Sequence, residues 1–257
     1  ADSQNGQWEC KTCGKRGNSY SFLRELHKSA TLMKEDRRSY DSLRGDRGLL
    51  SVETLTAWGI VKSPLSGEWI VPGYSHDGKL NQLYRYVLDR KSGKRRLYCT
   101  AGIDHQLFGT QSSLYESGRP TLYVCEGVWD AMALWEMLAR VKVKDGKLSR
   151  TANVTNSLLA ESNVIATAGA FGFKENWLEL FAGKRVVFMC HNDHPRKDES
   201  RGIDAPPASL EGVRKIVRMI PTTTRLPKKC EFLCWGDDAT QGWTKNLPSG
   251  YDVRDCL

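Results

Sequence analysis

The spacing of hydrophobic and polar residues changes near residue 120 of this 257-residue chain. Before that point, short segments of alternating character are separated by the stretches DG and SGK, which are typical of β-hairpin turns. After it, apolar runs typical of buried strands (TLYVCEG, VIATAGA, RVVFMC) alternate with helical patterns (VWDAMALWEMLAR, KENWLELF, ASLEGVRKIVRMI). Strands that alternate with helices form a parallel sheet covered on both faces. The pattern therefore predicts an α/β domain preceded by a β-rich α+β subdomain.

These patterns and the changes in composition between them divide the chain into four segments. Residues 1–28 form a small module rich in glycine and lysine, and residues 29–48 form a charged, helix-like connector that ends in glycines. Residues 49–119 form the basic β-rich subdomain, and residues 120–257 form the α/β domain. Within the last segment, we expect the polar stretch VKVKDGKLSRTANVTN to be a surface insertion.

Charge and hydropathy limit the kind of partner and compartment. The chain has 38 Lys and Arg against 30 Asp and Glu, and the formal net charge of +8 favours a polyanion such as nucleic acid. No run of about 18 apolar residues predicts a membrane span. The N-terminus lacks the basic and apolar regions of a secretory signal, and several cysteines lie in apolar runs, as reduced cysteines do. We therefore expect a cytoplasmic protein.

A basic run in the β-rich subdomain is the candidate nucleic-acid interface. Residues 85–96 contain six basic residues against the single acidic Asp89, and tyrosines lie in and around the run. Basic side chains neutralise phosphates and aromatic faces stack on bases, so this composition suits single-stranded nucleic acid. The alternative is a solvated hairpin tip. The candidate contacts are Lys79, Arg85, Tyr86, Arg95 and Arg96.

Acidic residues follow two of the predicted parallel strands. Glu126 ends the first, with Asp130 four residues later at the start of a helix, and His191 and Asp193 end the third. Ligands of open α/β sheets collect at the carboxyl ends of strands. Crowded carboxylates repel one another, a cost that a bound Mg²⁺ relieves. The alternative is that Asp130 caps its helix and Glu126 is merely solvated.

The motifs TLYVCEGVWDAMAL, VIATAGAFGFKENWLELFAGKRVVFMCHND and GYDVRDCL resemble, in order and spacing, those of a Toprim domain, the fold shared by bacterial-type primases, topoisomerases and some nucleases. The resemblance implies catalytic or metal-binding roles for Glu126, Asp130 and Asp193, and more weakly for Asp252 and Asp255. It also implies Mg²⁺ or Mn²⁺ as the cofactor.

Segments upstream resemble primases in particular. WECKTCGKRGNSYSFLRELH is similar to the second half of a primase zinc ribbon, and WIVPGYSHDGKLNQLYRYVLDRKSGKRRLY is similar to the basic N-terminal half of the RNA-polymerising core in phage and plasmid primases. The resemblance implies a DNA primase that makes short RNA primers on single-stranded DNA from nucleoside triphosphates. A replicative helicase is the implied protein partner.

The chain departs from the Toprim pattern at His191, where the first Asp of an Asp-x-Asp pair is expected. Mg²⁺ needs only one or two protein carboxylates besides substrate phosphates, so Glu126, Asp193 and Asp252 suffice if His191 contacts a metal-bound water or a phosphate. Alternatively, the site is degenerate and the chain only binds nucleic acid. A cluster of His191, Asp193 and His194 around a transition metal is a third possibility, and a Toprim nuclease remains open.

The zinc module is half complete by sequence. Cys10 and Cys13 have the spacing of one ligand pair, but a structural zinc ion needs four ligands. Only nine residues precede Cys10 here, and none of them is Cys or His, while His27 is equally suited to a helix surface. We expect an incomplete zinc site.

Overall fold

The computed structural model describes residues 7–32, 40–46, 50–63, 65–144, 147–151, 153–198, 203–236 and 243–256. Parts of the predicted 29–48 connector lie outside these ranges. Among the helices within them, none is both long and apolar enough to cross a membrane.

The described part of the N-terminal half combines three helices with antiparallel strands. A short hairpin precedes the first helix, and a four-stranded sheet in the order β3-β4-β5-β6 follows the third. Gly78 and Gly93, with φ of 79° and 66°, occupy the predicted DG and SGK turns of this sheet. The elements are β1 (Trp8–Glu9), β2 (Arg16–Gly17), α1 (Ser19–Leu32), α2 (Asp41–Asp46), α3 (Val52–Ala57), β3 (Val61–Lys62), β4 (Trp69–Tyr74), β5 (Leu80–Asp89) and β6 (Lys94–Tyr98).

The C-terminal half is built on a four-stranded parallel sheet in the order β10-β7-β11-β14, which confirms the predicted α/β fold class. Its elements are β7 (Thr121–Cys125), α4 (Val128–Ala139), β8 (Val141–Lys144), β9 (Lys147–Arg150), β10 (Ser162–Ala166), β11 (Arg185–Met189), β12 (Arg196–Asp198), β13 (Ile203–Ala205), α5 (Ala208–Met219) and β14 (Lys229–Leu233). Short 3₁₀ helices cover 154–156, 158–161, 175–181, 220–222 and 253–256.

The central position of β7 fixes where the candidate site lies. Cys125, the last residue of β7, pairs in register with Ala166 of β10 on one side and with Met189 of β11 on the other. Because the strands are parallel, the residues that follow all three emerge at the same edge of the sheet. The first helix after β7 is apolar nearly all round, as predicted, and nine of its twelve residues are buried.

The two halves share one hydrophobic core. Tyr86 of β5 packs on Trp129 of α4 with ring centroids 5.0 Å apart. The buried Glu136 of α4 also accepts hydrogen bonds through Oε2 from the backbone N–H of Ser51 (2.9 Å) and from the hydroxyl of Thr54 (2.7 Å) at the start of α3. The change of pattern near residue 120 therefore marks a change of local structure within a continuous core.

Helix α1 crosses the predicted boundary at residue 28. Its residues Leu23 and Ala30 are buried and pack with Ile70 of β4 and Leu83 of β5. The segment that resembles half a zinc ribbon therefore continues without interruption into a helix that covers the N-terminal sheet.

Candidate functional site

Two neighbouring strand ends bring Glu126 and His191 together, as the sequence predicts. Glu126 directly follows β7, and His191 lies two residues after β11. Their side chains face each other, with Nδ1 of His191 3.8 Å from Oε2 of Glu126. The glycine loop after β10 closes on the same point, because the N–H of Gly169 (φ 98°) donates to the carbonyl oxygen of Glu126 at 2.8 Å. The conformation at Gly169 is left-handed, which suits glycine.

Asp130 is held beside His191 by the first turn of α4. Its Oδ2 lies 2.9 Å from Nε2 of His191, and its side chain is almost fully buried. Burial by itself lowers the pKa of His191, but the hydrogen bond and charge of Asp130, with the charges of Glu126 and Asp252, outweigh burial and raise the pKa to about 9. At neutral pH, His191 is therefore a cation between carboxylates.

Ser209, in the first turn of α5, links the two carboxylates nearest solvent. Its hydroxyl donates to Oε1 of Glu126, and its backbone N–H donates to Oδ2 of Asp193 at 3.1 Å. The same hydroxyl accepts the backbone N–H of His191 at 2.9 Å. Burial raises the pKa of Glu126 to about 7, because the charge of His191 only partly opposes burial while Asp193 and Asp130 add to it.

Asn192 brings the C-terminal segment to the site. It is fully buried, accepts the backbone N–H of Thr244 through Oδ1 at 2.7 Å, and donates through Nδ2 to the carbonyl oxygens of Leu247 and Pro248, each at 3.0 Å. Its backbone N–H also donates to the carbonyl oxygen of Tyr251 at 2.8 Å. These bonds place the next residue, Asp252, beside the strand ends.

Asp252 is fully buried and is held by a neighbouring cation, Arg254. The guanidinium of Arg254 donates to both oxygens of Asp252 and lies 2.6 Å from Oδ1 of Asp130 through Nε. The predicted ligand Asp255 is exposed and turns back, accepting the backbone N–H of Asp252 through Oδ2 at 2.9 Å. In this structure Asp255 therefore supports the turn that carries Asp252.

The described residues include one group of carboxylate and imidazole ligands close enough to share a metal ion, namely Asp130, His191 and Asp252, whose ligand atoms lie within 4.8 Å of one another. Glu126 and Asp193 form a second carboxylate pair, since both accept hydrogen bonds from Ser209, and carboxylate oxygens are the ligands that a divalent cation such as Mg²⁺ binds. The predicted cluster with His194 is not formed, since Nε2 of His194 lies 3.0 Å from the carbonyl oxygen of Thr244.

The basic residues of the N-terminal sheet lie on two faces. Strand register places Arg85 opposite Tyr98, and Val87 opposite Arg96, so Arg85, Arg96 and Tyr98 share one face. Arg85, whose side chain is 59% exposed, lines a cavity of about 740 Å³ and lies 3.4 Å from Glu68.

Tyr86 lies on the opposite face and does not offer a stacking surface. It is 2% exposed, packs on Trp129, and is covered by the guanidinium of Arg95, 5.8 Å from the ring centre. The expectation of base stacking on Tyr86 is therefore wrong for this structure. Lys79 lies at the other end of β5 and pairs with Asp77 at 2.6 Å, about 20 Å along the strand from Arg85 by residue spacing.

The cysteines of the N-terminal module lie in the hairpin of β1 and β2. Cys10 and Cys13 are unpaired, and the backbone N–H of Gly14 donates to the carbonyl oxygen of Cys10 at 2.9 Å. His27 is engaged elsewhere, with Nε2 2.9 Å from the carbonyl oxygen of Gly59. Within the described residues, His27 is therefore directed to the N-terminal sheet.

Comparison with known proteins shows a likeness in structure. No protein-family profile matches the sequence, and no curated protein is significantly similar to it. The fold is similar to a solved DnaG catalytic core, with a TM-score of 0.55 and 16% identity over 92% of this chain and 74% of that chain. It is similar to the Escherichia coli primase catalytic core, with a TM-score of 0.51 and 16% identity over 87% and 75%. A DnaG primase catalytic domain bound to single-stranded DNA gives a TM-score of 0.52 and 15% identity over 92% and 75%. The chain therefore has the fold of DnaG-type primase cores.

Proposed function

We propose that this chain is a DNA primase, which synthesises short RNA primers on single-stranded DNA by metal-dependent nucleotidyl transfer. The proposal is carried by the convergence of Glu126, Asp130, Asp193 and Asp252 at the strand ends of a fold similar to primase cores. One such core has been solved with single-stranded DNA bound, which supports the same template for this chain.

The carboxylates have different proposed roles. Glu126 and Asp193 would hold Mg²⁺ or Mn²⁺, which in such enzymes stabilises the triphosphate of the incoming nucleotide electrostatically. Ser209 orients both carboxylates through its hydroxyl and its backbone N–H. Asp130 positions His191, whose ring lies between Asp130 and Glu126.

The proposed organisation follows the four predicted segments except at the predicted boundary at residue 28, because α1 (Ser19–Leu32) crosses it and packs on the N-terminal sheet. The zinc-ribbon-like module would end before α1, and the rest of residues 29–48 would be the connector. Residues 49–119 would hold the template, and residues 120–257 would form the Toprim-type catalytic half. Nucleoside triphosphates would be the substrates and a replicative helicase the protein partner, in the cytoplasm.

A catalytically inactive nucleic-acid-binding module is the second candidate. The observation that favours it is the ion pairing of Arg254 with Asp252 and of His191 with Asp130, which occupies carboxylate oxygens with side-chain cations. Such a module would bind DNA whatever the divalent ion present.

The deciding assay is incubation of the protein with mixed-sequence single-stranded DNA, labelled nucleoside triphosphates and Mg²⁺ or Mn²⁺. Short labelled RNA is the expected product. Cleavage of the DNA when nucleotides are omitted would indicate a nuclease instead. Tight, salt-dependent DNA binding with neither product would favour the binding module.

A double substitution tests the template-binding face. Replacing Arg85 and Arg96 with alanine should weaken binding to single-stranded DNA, because two exposed cations on one sheet face are lost. The slope of log affinity against log salt should become shallower by about 1.4, since each phosphate contact contributes roughly 0.7 on a single strand. The measurement is fluorescence anisotropy over a salt series.

The matched control removes two cations from a different hairpin, by replacing the exposed Lys144 at the end of β8 and Lys147 at the start of β9 with alanine. The control should keep the wild-type slope. Equal slopes for the Arg85/Arg96 variant and the wild type would remove this face from the proposed interface.

A further inference from the structure

The four carboxylates at the strand ends fall into two pairs that differ in what neutralises them. Asp130 and Asp252 are almost completely buried, with side chains 5% and 1% exposed, and they face fixed side-chain cations. Glu126 and Asp193 receive their hydrogen bonds from the hydroxyl and backbone N–H of Ser209, which are neutral groups. The ring of His191 faces Glu126 as well, but its Nδ1 lies 3.8 Å from Oε2, beyond hydrogen-bond distance, whereas Arg254 bonds both oxygens of Asp252 directly.

Arg254 saturates the oxygens of Asp252. Oδ1 accepts the backbone N–H of Arg254 at 2.8 Å and its Nε–H at 3.1 Å, and Oδ2 accepts Nε–H at 3.2 Å and Nη2–H. The same Nε lies 2.6 Å from Oδ1 of Asp130, so one guanidinium joins both carboxylates. Arg254 lies only two positions after Asp252 in the sequence. The contact is therefore fixed by a single turn of chain.

We infer that Arg254 is a built-in cation that closes the Asp130–Asp252 pair to divalent ions, so that the site takes up one divalent cation, on Glu126 and Asp193. The inference rests on the metal chemistry proposed above for the same site. It makes Arg254 a positioning residue, which acts on metal binding without touching substrate.

The physical reason is competition for the same oxygens. A divalent ion needs free carboxylate lone pairs at short, well-defined distances, and Arg254 occupies both oxygens of Asp252. The guanidinium of Arg254 keeps its positive charge throughout the working pH range, so a change of pH does not free the oxygens of Asp252. Displacing it would leave a side chain that is 26% exposed with its charge uncompensated. Proximity alone would select Asp130, His191 and Asp252 as the metal site, and Arg254 is what excludes that choice.

The test counts Mn²⁺ ions on the isolated protein, without DNA or nucleotides, by titration calorimetry and by the electron paramagnetic resonance signal of free Mn²⁺. The wild type should bind one equivalent. Arg254→Ala should bind two, since both oxygens of Asp252 become available. Arg254→Lys, which keeps a cation, should bind one, and so should Arg218→Ala, which removes a cation from an exposed position on α5.

Two further variants locate the ion in a protein that retains Arg254. Asp193→Asn should abolish the single equivalent, and Asp252→Asn should leave it in place. Even if circular dichroism shows that Arg254→Ala does not fold, these two variants show whether the Asp130–Asp252 pair is closed to the ion. No bound ion or two equivalents on the wild type, one equivalent on folded Arg254→Ala, retention of the ion in Asp193→Asn, or loss of binding in Asp252→Asn would each overturn the inference. Because the count involves no primer synthesis, a chain that makes no primers but binds one ion on Asp193 refutes the proposed activity and leaves the role of Arg254 standing.

Discussion

Glu126→Gln is expected to reduce primer synthesis by more than about 100-fold while leaving the affinity for single-stranded DNA nearly unchanged. Groups that merely support metal ligands are worth roughly 10- to 100-fold in many enzymes, and Glu126 is proposed as a ligand itself. Glutamine keeps the shape and can still accept the hydroxyl of Ser209, but it carries no charge for a metal ion. The measurement is the initial rate of labelled RNA synthesis beside DNA binding by anisotropy.

The fold should survive this substitution. Burial already raises the pKa of Glu126 to about 7, so the neutral side chain suits its surroundings at least as well as the carboxylate. Glu116→Gln is the matched control, since it removes an exposed carboxylate that pairs with Arg119 at 3.2 Å, just before β7. Wild-type synthesis by Glu126→Gln would refute the catalytic assignment. If Glu126→Gln loses both its DNA binding and the native circular dichroism spectrum, the variant is misfolded.

The elements predicted correctly are those that can be recognised as buried from the apolar residues within their own segment. Strands β7 and β11 are apolar except at their first residue, and β10, SNVIA, is buried throughout with its apolar residues at positions 164–166. Strand β14, KCEFL, was not predicted. Among the described strands it pairs with β11 alone, and its residues are largely exposed, so its sequence contains no apolar run that would predict a strand. An edge strand is defined by its partner, which a local pattern does not contain.

The candidate site also contains features that the sequence could predict and features that depend on contacts between distant parts of the chain. Convergence of Glu126, Asp130 and His191 could be predicted, because parallel strands end at one edge whatever the details of packing. The roles of Asn192 and Arg254 could not, because they depend on where a distant segment returns. Asn192 and Thr244 are 52 residues apart, and only the folded chain shows that they bond. Ser209 was missed because a serine at a helix start is ordinarily a capping residue.

The expectation that Tyr86 stacks on nucleic-acid bases was wrong because the sequence alone does not tell which face of a strand is buried. Residues of a strand alternate between faces, but the sequence of β5 does not say which face meets the rest of the protein. Burial of Tyr84 and Tyr86, with Arg85 exposed between them, shows that the tyrosines belong to the core shared with α4. The basic run therefore presents Arg85 and Arg96 beside Tyr98, and Tyr86 is buried on the other face.

His191→Gln is expected to destabilise the protein by about 2–3 kcal/mol at pH 7, and the difference from the wild type should shrink as the pH rises towards 9. Burial lowers the pKa of His191, but the hydrogen bond to Asp130 and the charges of Asp130, Glu126 and Asp252 raise it to about 9, above the ordinary value of 6.5. A group whose pKa is raised by folding contributes stability that is complete below its unfolded pKa and is lost as the pH rises through its folded pKa. Each pH unit in this window is worth up to about 1.4 kcal/mol.

The measurement is urea unfolding of both proteins in EDTA at half-unit steps from pH 7 to pH 9.5. Starting at pH 7 limits interference from Glu126, whose pKa is raised from 4.5 to about 7, because its contribution is complete below pH 4.5 and is lost as the pH rises from there through about 7. His105→Gln, at an exposed position that stacks on Tyr84 at 6.1 Å, is the control and should follow the wild type throughout. If the free energies of the wild type and His191→Gln remain parallel from pH 7 to pH 9.5, then His191 is not the buried cation that holds Asp130. Among the described residues, Arg254 would in that case be the side-chain cation that neutralises Asp130 and Asp252.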